Sequence, residues 1–484
     1  MKKLIVSLGA ATVLVGAIGA SCAAMPSWVT PSDRDASVAT SSGTVPAQRS
    51  ALNQQFAHAA SSNDDGNDGA DAEEETFVHP DLGKGAHYVD TPHFRIHYTL
   101  HGDHAVSSAD ANTDGTPDYV AAVATTLEHV RAVSINTFGW AAPPPDGAHG
   151  GNALYDVYLK NLTLEDVGGY VDGGQPDAIV GDNPNTPNVV EPRASISYMS
   201  LDRSYEDPED PEADPRQELQ SVAAHEFMHS IQMGYDGQEP ADWLWEATAE
   251  WMMEEVYPEN NLGHENLFNT YDSPDVAQSG PETDWYAQWL FFRYISEQYG
   301  HGAVKALWEE ARTRDGYAAL EAALKNEGTT LDDVIRGYSL ALLTNRFQEG
   351  AVYPTVRLEG AIRDQFQPPD GVASMGADYV ELLGDGPLTV MLEAIGLEGR
   401  VVDIRDGKAS VFPLTAGQAT VDGSAFAHLY LIVQNLQRPD PVSNDGMIGY
   451  SVIVRPGRAT PAQIVAAPNF KAPQVAERTV LDDN

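Results

Sequence analysis

Apolar and polar positions alternate with two different periods along this chain. His93-Phe94-Arg95-Ile96-His97-Tyr98-Thr99-Leu100 alternates at every residue, the pattern of a half-buried strand. Tyr155-Asp156-Val157-Tyr158-Leu159 and the run from Ala194 to Leu201 read as further strands. Between the first two, Val120, Val123, Leu127, Val130 and Val133 recur at helical spacing, which predicts a helix from Tyr119 to Thr137. A second helical pattern follows in Leu219, Val222, Ala223, Phe227 and Ile231. Pro215 suits its start, and Gly234 and Gly237 suit its end. A short turn through Pro240 leads to Asp242, an N-cap candidate, and to a helix from Trp243 to Val256 stopped by Pro258. A mostly apolar helix is predicted from Asp284 to Tyr294, ending at Gly300. Ala303–Arg312, Ala318–Lys325 and Leu331–Gln348 read as three more helices.

The texture changes after Gly350. Tyr379–Leu382, Leu388–Leu392, Val401–Ile404, His428–Val433 and Tyr450–Val454 are short strands separated by Gly, Asp and Asn turns, which predicts a small antiparallel β-sandwich. The whole order, strands and helices and then strands, predicts an α+β protein. The Gly-, Pro- and Asn-rich run from Gly168 to Val190 reads as a loop, and Glu206 to Asp214 as an acidic loop. The expected boundaries are a leader over 1–24, a linker or propeptide over 25–78, one α+β domain over 79–350, the sandwich over 351–460 and a loosely ordered tail over 461–484. No internal repeat is visible.

Charge narrows the partners. The 484 residues carry 28 Lys and Arg against 71 Asp and Glu, a formal net charge of −43. That argues against nucleic acid and anionic membrane surfaces. It fits an exported, calcium-rich or salt-adapted protein without choosing among them. Lys2 and Lys3 precede an apolar run from Leu4 to Gly19, the pattern of an export signal. The chain's single cysteine, Cys22, follows Ile18-Gly19-Ala20-Ser21, which resembles a bacterial lipoprotein box except for Gly19. Lipidation at Cys22 and plain secretion both stay open. Either way no disulfide forms within the chain. The segment that follows is rich in Ala, Ser, Thr, Gln and Asp, the composition of a tether with no core of its own.

Candidate chemistry sits on the predicted helix after Pro215. His225-Glu226-Phe227-Met228-His229 reads H-E-x-x-H. Residues four apart share a helix face, so both imidazoles can reach one metal ion. Glu226 is placed to take a proton from a water polarised by that metal and to pass it to a leaving amine. Catalytic zinc takes three protein ligands and keeps one position open. The next helix offers Glu246 and Glu250, one turn apart. Glu254 and Glu255 on the same helix read as solvated carboxylates. His93 and His97, on a strand, read as surface residues.

H-E-F-M-H followed by Trp243-Leu244-Trp245-Glu246-Ala247-Thr248-Ala249-Glu250-Trp251 resembles the gluzincin metallopeptidases. That clan carries its third zinc ligand in a Glu-x-x-Ala segment of the next helix. The resemblance implies a mixed sheet with a mainly helical C-terminal lobe. It puts the third ligand at Glu246 with Glu250 in support, although the gap from His229 is slightly short for the clan and keeps Glu250 as the rival. It also implies an oxyanion-stabilising tyrosine at Tyr286, against core packing as the alternative, and an edge strand just before the first zinc helix, here Ala194–Leu201, that pairs with substrate. From His79 to about Gly350 the chain is similar to a group of secreted bacterial metalloproteases of the myxobacterial kind, through Thr91-Pro92-His93-Phe94, the stretch from Asp110 to Val120, Tyr155-Asp156-Val157-Tyr158, the zinc motif and the segment from Asp284 to Tyr294.

A second metal motif is Asp110-Ala111-Asn112-Thr113-Asp114-Gly115-Thr116-Pro117-Asp118. It places oxygens at alternate positions and Gly at the sixth, as the first part of a calcium loop does. Asp110, Asn112, Asp114, the Thr116 carbonyl and Asp118 are the candidate ligands. Ala121 stands where an EF-hand has Glu, so the loop is not an EF-hand. The alternative is a polar Asx-rich turn. The expectation is a secreted or lipid-anchored zinc peptidase acting on protein or peptide, with calcium as a second ion. Its rival is an inactive surface binding module on a peptidase-like fold. Oligomeric state and cleavage specificity have no signal in the sequence.

Overall fold

The computed structural model describes residues 4–6, 76–163, 167–206, 213–276, 285–384, 386–405, 408–422, 428–439, 446–457 and 465–466. The leader beyond residue 6 with Cys22, the linker up to Glu75, most of the acidic loop before Asp214, Asp284 and nearly all of the tail lie outside them. The described residues fall in one compact unit.

The first sheet contains β1 (Leu4–Val6), β2 (His87–Asp90), β3 (Phe94–Tyr98), β4 (Tyr155–Lys160), β5 (Gly169–Gly173) and β6 (Ser197–Asp202). Its order is β1-β5-β6-β4-β3-β2. β3, β4 and β6 run parallel, while β2 and β5 are antiparallel to their neighbours β3 and β6. Two sequence expectations change here. β5 lies inside the run read as a loop, because Gly169, Gly173 and Asp172 hide a strand that is buried at every position. β6 is therefore flanked on both sides and is not the edge strand; β5 stands between it and the backbone of β1.

Alternation on β4 sorts side chains to two faces. Val157 and Leu159 join the main core under the helices, whereas Tyr158 joins a smaller cluster on the other face with Phe77, Tyr170 and Tyr198. On the helical face lies α1 (Asp118–Arg131), which continues as a π-turn over Ala132–Thr137. The central element is α2 (Pro215–Asp236). The Asp214 carboxylate accepts from the Arg216 amide and caps it, with Pro215 in the first turn. Every residue from Ser221 to Asp236 is buried, so this helix is surrounded rather than amphipathic.

α3 (Asp242–Val256) packs on α2, followed by α4 (Leu267–Asp272), α5 (Trp289–Tyr299), α6 (His301–Ala311), α7 (Gly316–Asn326) and α8 (Leu331–Thr344). Trp245, Trp251, Trp289 and Trp308 are fully buried among them. The helix expected from Asp284 begins later: Tyr286–Gln288 is a 3-10 turn and α5 starts at Trp289. Glu254 and Glu255 are not solvated. Glu254 accepts from the Gly263 amide, and Glu255 pairs with Arg293 and His301. Those partners come from distant sequence, which is why the helix pattern alone reads them as exposed.

The C-terminal strands are β7 (Gly360–Ile362), β8 (Gln365–Phe366), β9 (Ala377–Leu382), β10 (Pro387–Glu393), β11 (Leu397–Arg405), β12 (Lys408–Pro413), β13 (Gln418–Asp422), β14 (His428–Asn435), β15 (Ser451–Pro456) and β16 (Val465–Ala466). They form a sheet of order β13-β10-β15-β8 and another of order β16-β12-β11-β14-β9-β7. Val390 and Val452 from one and Val380, Val401 and Leu431 from the other share a core, so the two sheets pack face to face. All pairings are antiparallel except β7 with β9. Side chains bolt this layer to α8: the Tyr379 hydroxyl and the Arg400 guanidinium donate to the carbonyls of Ser339 and Arg336.

Candidate metal centre

α2 and α3 bring His225, His229 and Glu246 together. His225 Nε2 lies 3.4 Å and His229 Nε2 3.8 Å from Glu246 Oε2. A tetrahedral ion with bonds of about 2.1 Å keeps its donors about 3.4 Å apart, so the spacing suits one small cation. All three side chains are buried. Neither Nε2 nor Glu246 Oε2 has a hydrogen-bond partner. Buried polar atoms are almost always paired, so three converging orphans mark a place for a ligand.

The far side of each ring is satisfied. His225 Nδ1 faces Glu250 Oε2 at 3.1 Å, and His229 Nδ1 faces Gln232 Oε1 at 2.7 Å. Gln232 Nε2 donates to the Trp245 carbonyl and the Thr248 hydroxyl, which turns Oε1 toward His229. Both acceptors therefore require Nδ1–H, which turns each Nε2 toward Glu246. Asn266 donates to Glu250 Oε1 at 3.0 Å and holds that carboxylate in place. Glu246 and Glu250 thus take separate positions, one facing the two Nε2 atoms and one behind His225.

Glu226 is fully buried, and neither carboxylate oxygen has a partner. Burial pushes its pKa well above the ordinary range, and the Glu246 charge adds to that. β5 makes the room: a Cβ at Gly169 would stand 2.8 Å from Glu226 Cγ. Burial opposes protonation of His225, but the carboxylates of Glu246, Glu250 and Glu226 outweigh it and lift its pKa to about 10. Burial lowers His229 to about 4. Tyr286 reaches the same pocket. Its ring stacks on His225 with centroids 5.9 Å apart, and Glu246 and Glu250 add to the burial that raises its phenol pKa.

Gln232 and Asn266 escape the sequence reading. Gln232 carries a readable signal, since it lies three residues after His229 on the same helix face. Asn266 has none, because a separate turn over Leu262–Asn266 delivers it.

The loop from Asp110 to Asp118 folds differently. Its side chains point back at its own backbone. Asp110 accepts from the amides of Asp114 and Gly115, Asp118 from that of Ala111, and Asp114 from that of Thr116. Among the described residues three groups of His, Asp and Glu gather ligand atoms within 4.8 Å, and this loop is not one of them. They are His225, His229 and Glu246; His79, Asp146 and Asp156; and Asp236, Glu239 and Asp315. The last has Arg193 as its counter-charge. His97 also departs from expectation. It is half-buried and bonds Asp156 Oδ1 at 2.6 Å, while His93 stays at the surface against Glu128.

Residues 212–344, the stretch that carries α2 to α8, match the model of DUF6055, a family of unknown function. No curated protein matches the chain.

Proposed function

We propose that this protein is a zinc-dependent peptidase. The observation that carries the reading is the convergence of unpartnered His225 Nε2, His229 Nε2 and Glu246 Oε2 beside an unpartnered, buried Glu226. Two imidazoles and one carboxylate form the donor set of a catalytic zinc site with an open position. Zinc, when bound, supplies a Lewis acid that polarises the scissile carbonyl and makes a water more acidic.

The chain's own residues do the rest. Glu226 takes a proton from the attacking water and returns it to the leaving amine. Tyr286, beside Glu246, donates its phenol hydrogen to the oxyanion in this reading as the carbonyl carbon becomes tetrahedral. His225 and His229 keep their orientation through Glu250 and Gln232. An extended substrate fits the edge of β5, where the backbone of Leu4–Val6 already adds antiparallel to Gly169–Val171. Export and lipidation at Cys22 belong to the same proposal, as does calcium in the Asp110–Asp118 loop.

An inactive binding module has no need for a carboxylate buried without a partner, which favours the enzyme. The deciding assay is hydrolysis of casein or a mixed peptide library by the full chain. Activity lost to a zinc chelator and restored by zinc is expected. No hydrolysis by zinc-loaded protein on any of these substrates overturns the reading.

A further inference from the structure

On the face of the sheet opposite α2, β4 presents Asp156 to two segments that lie over it. One begins the described part of the domain and carries His79. The other, between α1 and β4, carries Asp146. The Asp156 side chain is fully buried, that of Asp146 is 5% exposed and that of His79 10%. His97 holds Asp156 Oδ1, while Oδ2, 3.6 Å from His79 Nδ1, has no hydrogen-bond partner. Both oxygens of Asp146 are unpartnered, and so is His79 Nε2. His79 Nδ1 lies 3.0 Å from the Tyr158 hydroxyl, which orients the ring. Its Nε2 then stands 3.8 Å from Asp146 Oδ2, and one ligand atom from each of the three residues falls within 4.8 Å of the others.

The pocket is shaped around the carboxylates. Gly150 adopts a left-handed φ of 66°, and a Cβ there would collide with the Asp156 carboxylate. Arg95, whose charge also reaches Asp156, forks onto Asp90 instead. Two buried carboxylates this close cannot both stay ionised without a counter-charge. The pair therefore needs a positive charge close by. A shared proton or a cation can supply it.

We propose that His79, Asp146 and Asp156 hold a second divalent cation, of the zinc class, that clamps the entry segment and the loop before β4 onto the sheet. One nitrogen and two carboxylates suit zinc, and they are too few oxygens for calcium. His97 and Tyr158 serve as positioning residues, steering Asp156 and His79. This site lies across the sheet from the His225 pocket, so it stands or falls separately from the peptidase reading.

Metal analysis of the dialysed full chain tests it. Wild type should carry two zinc ions, Asp146→Asn one, and the His225→Ala/His229→Ala double variant one. Asp146→Asn in that double variant should bring zinc to none. Asn has nearly the shape of Asp and no charge, and circular dichroism checks that the Asp146→Asn variant folds. Asp156→Asn provides the second variant, with the same loss expected. In wild type the second ion should also raise the melting temperature above that of Asp146→Asn. Zinc content unchanged by Asp146→Asn overturns the proposal, as does a zinc-free double variant that is folded, which would mean a shared proton fills the pocket.

Discussion

The loop from Asp110 to Asp118 and the helix pair bearing His225, His229 and Glu246 both space metal-type side chains regularly along the sequence. The fold treats them oppositely. In the loop each carboxylate is near a backbone amide of its own turn, exposed to water, and has accepted a hydrogen bond from it. In the helix pair the backbone is already satisfied by helical bonds, so Nε2 and Oε2 are left over and aim inward at one another. Spacing supplies candidates in both places. Only a rigid, buried scaffold leaves ligand atoms idle, and idle buried atoms are the mark of a site.

The sharpest way to break this comparison is to remove one idle atom. Glu246→Ala should lose the zinc of this centre on dialysis and all hydrolysis with it, since two histidines are too few for a tight site. Glu250→Ala should keep zinc and lose roughly 10- to 100-fold in activity or affinity, as for a residue that only orients a ligand. The opposite pattern in metal analysis would exchange the two roles. Glu226→Gln comes next. Zinc should stay near one equivalent at this centre while hydrolysis falls by about 10²- to 10⁴-fold, because the amide cannot accept a proton. Substantial residual turnover would remove Glu226 from the mechanism.

A milder variant tests the room that β5 provides. Gly169→Ala places a Cβ against Glu226 Cγ and Val222 Cγ1, at 2.8 and 2.9 Å, so Glu226 must shift. About tenfold lower kcat with unchanged zinc content is expected, roughly 1.4 kcal/mol at the transition state. Full activity would show that Glu226 has space to spare.

The electrostatics of the metal-free pocket give a pH signature. His225 is raised from 6.5 to about 10 by the surrounding carboxylates against its burial. A raised imidazole contributes stability that is fully present below pH 6.5 and is lost as pH rises through about 10. The melting temperature of metal-free wild type, measured against His225→Gln, should therefore fall across that window. A flat difference would mean that the imidazole is not held protonated. The smallest effect belongs to the exposed loop. Calcium should raise the melting temperature by about 2–4 °C through mass action, and Asp114→Ala should abolish the response. A calcium response that survives Asp114→Ala places the ion elsewhere.

His225, His229 and Glu246 were legible because they sit on helices, whose geometry is local. His225 and His229 share a face whatever surrounds them, and Glu246 follows on the next helix. Their orienting partners were less legible. Gln232 is within reach of the same helical arithmetic, but Asn266 arrives on a turn that no periodicity announces. β5 was hidden because its glycines and Asp172 read as loop composition, while burial on both faces makes them a strand. His97 was misplaced because alternation sorts residues to faces but does not say that the polar face will itself be covered.

By itself the sequence determined the α+β order, the central helix, the placing of His225, Glu226 and His229 together on it, and the division of strands and helices along the chain. All of these rest on interactions within a few residues. The tertiary structure alone decided which carboxylates are buried, which strand lies beside Glu226, and that Asp146, Asp156 and His79 meet at all. These positions are separated by tens of residues, and their distances depend on how the sheet and the loops over it close. Such closure is set by the packing of the whole core and by no local pattern.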